Sequence, residues 1–351
     1  MKVGILTLSL GDNYGGVLQN YALQEALRME GHQPITISHD YFYPWYVIFI
    51  YKIKSFLFGI LKRKQKGISD RKSSNHIFIE KNIVHTPPYI CLNNNIVKRY
   101  EFDAMIVGSD QVWRPRYNPN NLPDFYLRFV KEKSCVKFAY AASFGVDNCE
   151  YTSKDIKACL KYVHKLKGIS VREKTGASLC EKYFGVTPVL VLDPTLLITK
   201  GKYEVLCSSI KPDDRPYILA YVLDDNDSIR AIINSVMKKL EVPVKFIKAN
   251  GQVTIEDWLS HFRDASLVVT DSFHGTVFSI IFEKDFISVP NIKRGASRFE
   301  SLLSNFGLMD RLVSNNFEPE LILHGINWDK VNKKIESLRK ISLSYLREMM
   351  S

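Results

Sequence analysis

Between residues 264 and 298 the chain runs from the apolar stretch Leu267-Val268-Val269-Thr270, through the polar turn Asp271-Ser272-Phe273-His274-Gly275, into Thr276 to Phe282, whose apolar positions suit a helix. A short β-branched run that stops at a polar turn before a helix reads as a buried parallel strand feeding an α/β unit. A second short strand, Phe286 to Val289, leads into Lys293-Arg294-Gly295-Ala296-Ser297-Arg298, three cations around a glycine. In open α/β sheets ligands bind beyond the carboxyl ends of the strands, where a starting helix offers N–H groups to an anion. Asp271, Ser272, His274, Gly275, Thr276, Arg294 and Arg298 therefore lie where chemistry is expected. His274 reads either as a structural cap or as a proton carrier near neutral pH, and the basic loop either as solvated or as an anion partner.

The same unit recurs. Lys2 to Leu8 is followed by Ser9 to Gly16, a helix from Val17 to Glu30 stopped by Gly31, and a strand at Ile35 to Ile37. The G-D-N-Y-G-G turn lets backbone approach a ligand, yet it is neither G-x-G-x-x-G nor a P-loop. Ala104 to Val107 ends at Gly108-Ser109-Asp110, Lys137 to Ala142 at Ser143, Gly168 to Val171 at Arg172, and Val189 to Leu192 at Asp193-Pro194-Thr195. Asn13, Tyr14, Gly15, Ser109, Asp110, Ser143 and Arg172 are thus expected along one rim. Arg172 suits a bidentate grip on carboxylate or phosphate; the competing reading pairs it with Glu173 or Asp193.

A chain of 351 residues exceeds one ordinary core. Polarity rises after Thr199, and Pro212 to Pro216 reads as a loop, so the boundary is placed near 200. Strands at Tyr217 to Val222 and Val244 to Ile247, with helices at Asp227 to Leu240 and Thr254 to Arg263, make 201–327 a second α/β domain. Ile335, Leu338, Ile341, Leu343 and Leu346 mark a terminal amphipathic helix over 328–351.

The net charge of +11 favours anionic partners. No zinc spacing, RNA-binding aromatic signature or recognition-helix pattern is present, which argues against nucleic acid and against a metal site. Six scattered cysteines without a C-x-x-C pair fit reduced thiols, and Lys2 to Leu8 lacks the pattern of a signal peptide, so a cytoplasmic protein is expected. The insertion at 41–66 is aromatic and apolar but interrupted by Lys52 and Lys54 and closed by Lys62-Arg63-Lys64-Gln65-Lys66. It is too interrupted to span a bilayer and suits an interfacial segment on an anionic membrane over 42–66, a flap over the cleft, or a packed insertion. Residues 67–99 read as a polar connector with one short helix over Ser74 to Lys81.

Six stretches together resemble the polysaccharide pyruvyl transferase family: N-Y-G-G-V-L-Q-N-Y-A-L-Q from residue 13, I-V-G-S-D-Q-V-W at 106–113, A-A-S-F-G at 141–145, S-V-R-E at 170–173, V-L-D-P-T at 191–195 and D-S-F-H-G-T at 271–276. The resemblance implies two Rossmann-like domains facing across a cleft, as in GT-B glycosyltransferases. It implies phosphoenolpyruvate as donor, no cofactor, and a cyclic pyruvate ketal on a sugar as product. It also implies that His274 and Arg172 attend the donor. Members of the family often carry Arg two places before that His, where this chain has Ser272; Arg294 or Arg298 can supply the charge. On this reading His274 and Asp271 are catalytic, with Asp271 orienting the imidazole. Arg172, Ser272, Gly275, Thr276, Arg294 and Arg298 bind the donor, and Asn13, Tyr14, Gly15, Ser109, Asp110 and Ser143 the acceptor. A membrane-bound 42–66 would make that acceptor a lipid-linked oligosaccharide. Two other functions fit the same architecture: a glycosyltransferase using a nucleotide sugar, and a non-catalytic, membrane-associated glycan-binding protein.

Overall fold

The computed structural model describes residues 1–39, 75–118, 121–248, 253–290, 295–313 and 324–351; the 41–66 insertion and Arg294 lie outside them. The ten strands of the described residues form two wholly parallel sheets. The first contains β1 (Lys2–Leu6), β2 (Gln33–Thr36), β3 (Ala104–Val107), β4 (Val136–Ala142), β5 (Gly168–Val171) and β6 (Val189–Leu190) in the order β2-β1-β3-β4-β5-β6. The second contains β7 (Ile218–Val222), β8 (Val244–Lys248), β9 (Leu267–Thr270) and β10 (Asp285–Ser288) in the order β10-β9-β7-β8. The boundary expected near 200 falls between β6 and β7. Register is fixed by pairs such as Ile5 with Ile106 and Ala220 with Val269. Because crossover helices cover both faces, β3, β7 and β9 are buried at every position, which explains their unbroken apolar sequences.

The described helices are α1 (Tyr14–Met29), α2 (His76–Asn82), α3 (Asn94–Tyr100), α4 (Ser153–Val163), α5 (Lys174–Phe184), α6 (Lys200–Leu206), α7 (Asp227–Leu240), α8 (Ile255–Asp264), α9 (Phe273–Ile281), α10 (Ser297–Phe306) and α11 (Trp328–Met350). Three were not expected. α3 lies in what reads as a polar connector, where the Asn93 side chain caps it and only Ile96 and Val97 are buried. α6 lies at the domain boundary, and α10 replaces the second half of the basic loop. α3 and α6 are too short, at seven residues each, to show a full helical period, whereas α10 carries one in Phe299, Leu302, Leu303 and Phe306, which the run of basic residues before it overshadows.

The two domains share a core. Tyr14, Val17 and Leu18 of α1 belong to one apolar cluster with Tyr221, Trp258 and Phe278 of the second domain. Tyr14 stacks on Trp258 at 5.5 Å between ring centroids, and its hydroxyl donates to Val253 O at 2.9 Å while accepting Val253 N–H at 3.1 Å. The buried polar face of α1 is tied to the first sheet: Gln19 Nε2 donates to Thr7 Oγ1, Gln24 Nε2 to Thr36 Oγ1, and Thr36 Oγ1 to Asn20 Oδ1, while Gln19 Oε1 and Asn20 Nδ2 are left without a partner. α11 starts in the second domain with Val331 and Ile335 and ends beneath the first sheet. There Tyr345, Leu346, Met349 and Met350 pack with Phe138 and Tyr140. The helix expected as a separate terminal segment is therefore part of both domains.

Strand order decides where a ligand can sit. β1 lies between β2 and β3, and β7 between β8 and β9, so the chain reverses its direction of winding on either side of β1 and of β7. A crevice opens at such a switch point, outside the carboxyl ends of the strands.

Candidate active site

The loops at the two switch points meet in a cleft of about 100 Å³. The loop after β1 contributes Asn13; the loop after β3 contributes Asp110, Gln111, Arg114 and Tyr117. Opposite them stand Tyr221 and Leu223 at the end of β7, Asp271 to His274 after β9, and Arg298 from the first turn of α10.

His274 lies within the first turn of α9, which starts at Phe273 rather than at the Thr276 expected from the sequence, because Ser272 acts as the N-cap and accepts the Gly275 N–H at 3.2 Å. That bond leaves the N–H groups of Phe273 and His274 at the mouth of the helix, a favourable place for an anion. The imidazole is buried, with Nε2 lacking a hydrogen-bond partner and standing 3.8 Å from Asp193 Oδ2. Burial pulls its pKa below the usual histidine value, and Arg172 and Arg298 act in the same direction against Asp193 and Asp110. The ring is therefore neutral at pH 7.

Asp271 does not take the orienting role expected of it. Its carboxylate accepts the N–H of Leu223 at 2.6 Å and of Asp224 at 2.8 Å, tying the end of β9 to the turn after β7. The carboxylate facing His274 is Asp193, which comes from the other domain. Arg172 is likewise not a wall of the cleft. Its NH1 donates to Asp193 at 2.6 Å and NH2 to Asp110 at 3.0 Å, and its side chain is 1% exposed. The structure thus gives Arg172 the ion-paired alternative, as a girder behind the site.

Arg298 holds the place of the direct cation. Its guanidinium lies 5.6 Å from the Phe273 ring centroid, and Arg172 lies 4.7 Å from the same ring. Burial, reinforced by Arg172, lowers the Arg298 pKa to about 10, so it remains charged. Arg114 is a second cation in the wall, held by Glu150 through Nε at 3.1 Å and NH2 at 2.9 Å.

Several residues expected to touch ligand are structural instead. Ser109 Oγ donates to Ala141 O, and Ser143 Oγ accepts the Gly145 N–H; both residues are fully buried. Gly275 packs against Thr270 and Tyr221, and Thr276 Oγ1 bonds Ser288 Oγ at 2.6 Å. Tyr14 is the interdomain pin, and Gly15 is the seat of the imidazole: a Cβ there would overlap Nδ1 and Cγ of His274. Asn13, Asp110, Ser272, His274 and Arg298 are brought together. Asp193, Gln111, Arg114, Tyr117 and Tyr221 complete the site and were not singled out for it. Asp193 and Gln111 lie in the V-L-D-P-T and I-V-G-S-D-Q-V-W stretches, the latter stopping one residue short of Arg114, whereas Tyr117 and Tyr221 carry no such signal. Among the described residues no group of three His, Cys, Asp or Glu side chains is placed to hold a metal, and no helix is long and apolar enough to cross a membrane.

The fold is similar to that of S. aureus MnaA in its structure with UDP, at 10% identity and a TM-score of 0.50, over 96% of this chain and 87% of that one. A UDP-GlcNAc 2-epimerase from Methanocaldococcus jannaschii aligns at 12% identity and a TM-score of 0.48, over 96% and 92%. Arabidopsis thaliana UGT89C1, complexed with UDP-L-rhamnose, aligns at 10% identity and a TM-score of 0.49, over 99% of each. No curated protein matches the sequence. The two facing Rossmann-like domains are those of a GT-B fold, a likeness of architecture alone. The family model described as polysaccharide pyruvyl transferase matches residues 13–293, from Asn13 through His274. The chain belongs to the polysaccharide pyruvyl transferase family and is a transferase of that family.

Proposed function

We propose that the donor is phosphoenolpyruvate, bound in the cleft between Arg298, Arg114 and the N-terminus of α9, and that its pyruvyl carbon skeleton passes to two hydroxyls of one sugar. The observation that carries this reading is the pairing of a neutral, buried imidazole with cations and helix N–H groups in one small crevice.

Neutral His274 takes the proton of the first sugar hydroxyl as its oxygen bonds to C2 of the donor. The resulting imidazolium returns that proton to the methylene carbon, which becomes the methyl group. The C2–O bond to phosphate then breaks, the second hydroxyl bonds to C2, and its proton leaves with phosphate. One diol and one phosphoenolpyruvate thus give one ketal and one hydrogen phosphate. Arg298 and the helix N-terminus hold the donor's charge throughout, and general acid–base work of this kind contributes ~10²–10⁴ in rate.

We further propose that the acceptor is a lipid-linked oligosaccharide of surface polysaccharide or capsule assembly at the inner membrane face, on the strength of the aromatic and basic sequence at 42–66. The test is incubation with phosphoenolpyruvate and glycans. Phosphate release with a glycan mass gain corresponding to a pyruvate ketal supports the reading. Transfer only from nucleotide sugars refutes the donor, and liposome binding unchanged by deletion of 42–66 refutes the membrane contact.

A further inference from the structure

The 192–195 segment is fixed more firmly than a loop needs to be. Asp193 Oδ1 accepts Thr195 N–H at 3.0 Å and Thr195 Oγ1 at 2.6 Å, while Oδ2 accepts Arg172 NH1 at 2.6 Å. Around it, Leu192 N–H donates to Ser342 Oγ, Tyr140 Oη to Leu192 O, Tyr203 Oη to Thr195 O, and Arg339 Nε to Leu196 O. A carboxylate held this way faces His274 Nε2, a buried atom without a hydrogen-bond partner, at 3.8 Å. The two come from different domains. The remaining charged groups around the imidazole are Asp110, Arg172 and Arg298. The Phe273 ring, at 5.3 Å, and Gly15 also pack against it.

We infer that Asp193 is the positioning residue of His274: the first domain presents a fixed carboxylate to the imidazole that the second domain brings in. It keeps the neutral ring's proton on Nε2, leaving Nδ1 as the base, and it stabilises the imidazolium that forms midway through transfer. The separation of 3.8 Å shortens when the ring becomes charged, as hydrogen bonds in unliganded sites commonly do. Arg172, bonded to the same oxygen, keeps Asp193 ionised, so the pair works only while the domains are docked. The inference rests on His274 being the proton carrier of the proposed reaction.

The test is imidazole ¹⁵N and ¹³C NMR of the full chain labelled at histidine, with the His274 resonance identified by its loss in His274→Gln. The Nε2–H tautomer is expected in the wild-type protein, and in Asp193→Asn the proton affinity of His274 falls at least tenfold while the other histidines keep theirs. An Nδ1–H tautomer overturns the inference, as does an unchanged His274 titration in a folded Asp193→Asn variant. The tautomer is read in the unaltered protein, so a variant that does not fold leaves the inference testable. No substrate is present, so a negative result here leaves the donor assignment standing, and failure of phosphoenolpyruvate turnover leaves the pairing standing.

Discussion

Replacing Gly15 by alanine adds one methyl group at the point where the two domains meet the imidazole. The added Cβ falls on Nδ1 and Cγ of His274, well inside contact distance, and Cβ of His274 is its third-nearest neighbour. Because Gly15 is the second residue of α1, alanine also gains helix propensity, at most ~1 kcal/mol. Overpacking costs ~1–3 kcal/mol, so the net loss of stability is between ~0 and ~3 kcal/mol. The loss of rate is larger: relieving the clash moves the imidazole by roughly 1 Å, which costs ~10²-fold in turnover. The expected signature is a hundredfold fall in phosphate release from phosphoenolpyruvate by a protein that is still folded without urea, its urea midpoint lowered by no more than the ~0–3 kcal/mol loss implies. Gly11→Ala serves as the control, since its methyl meets nothing within 4 Å, and it retains full turnover. A Gly15→Ala enzyme within threefold of native turnover refutes the seating of His274 described above.

Arg298→Ala removes a charged donor from the cleft; at ~1.5–3 kcal/mol for such a bond, KM for phosphoenolpyruvate rises ~10- to 150-fold in initial-rate assays, and an unchanged KM counts against the donor site. Tyr14→Phe leaves the N–H and C=O of Val253 without their shared partner; stability falls by ~1–3 kcal/mol in urea unfolding, and no fall means the hydroxyl is not the interdomain pin. His274 binds its proton less readily in the folded protein than unfolded. Its contribution is therefore intact above pH ~6.5 and is lost as pH falls through the lower folded value; His274→Gln flattens that part of the stability profile, and an unaltered profile refutes the shift. Turnover that needs the neutral ring falls on the same acidic side.

The alternation of short apolar runs with helices exposed both sheets in the sequence, because strands covered on two faces need unbroken apolar character. Ends of elements were less legible: His274 sits inside α9 because Ser272 caps the helix, a choice made by one hydroxyl. Residue type also concealed direction. Arg172 looks like a ligand-binding guanidinium, but Asp110 and Asp193, 62 and 21 residues away in the loops after β3 and β6, converge on it. Asp271 looked like the partner of the nearby His274, yet the adjacent turn after β7 claims both its oxygens. The partner that faces the ring, Asp193, lies 81 residues earlier on the other domain.

The end of α11 has a consequence for how the molecule is made. Its Tyr345 hydroxyl donates to Ala139 O in the middle of the first sheet, and Leu346, Met349 and Met350 fill the space beneath. The half of the protein that leaves the ribosome first is thus missing part of its interior until residue 350 has been synthesised. A fragment cut at 200 should expose the underside of β4 and precipitate, whereas adding 328–351 as a separate peptide should rescue its solubility.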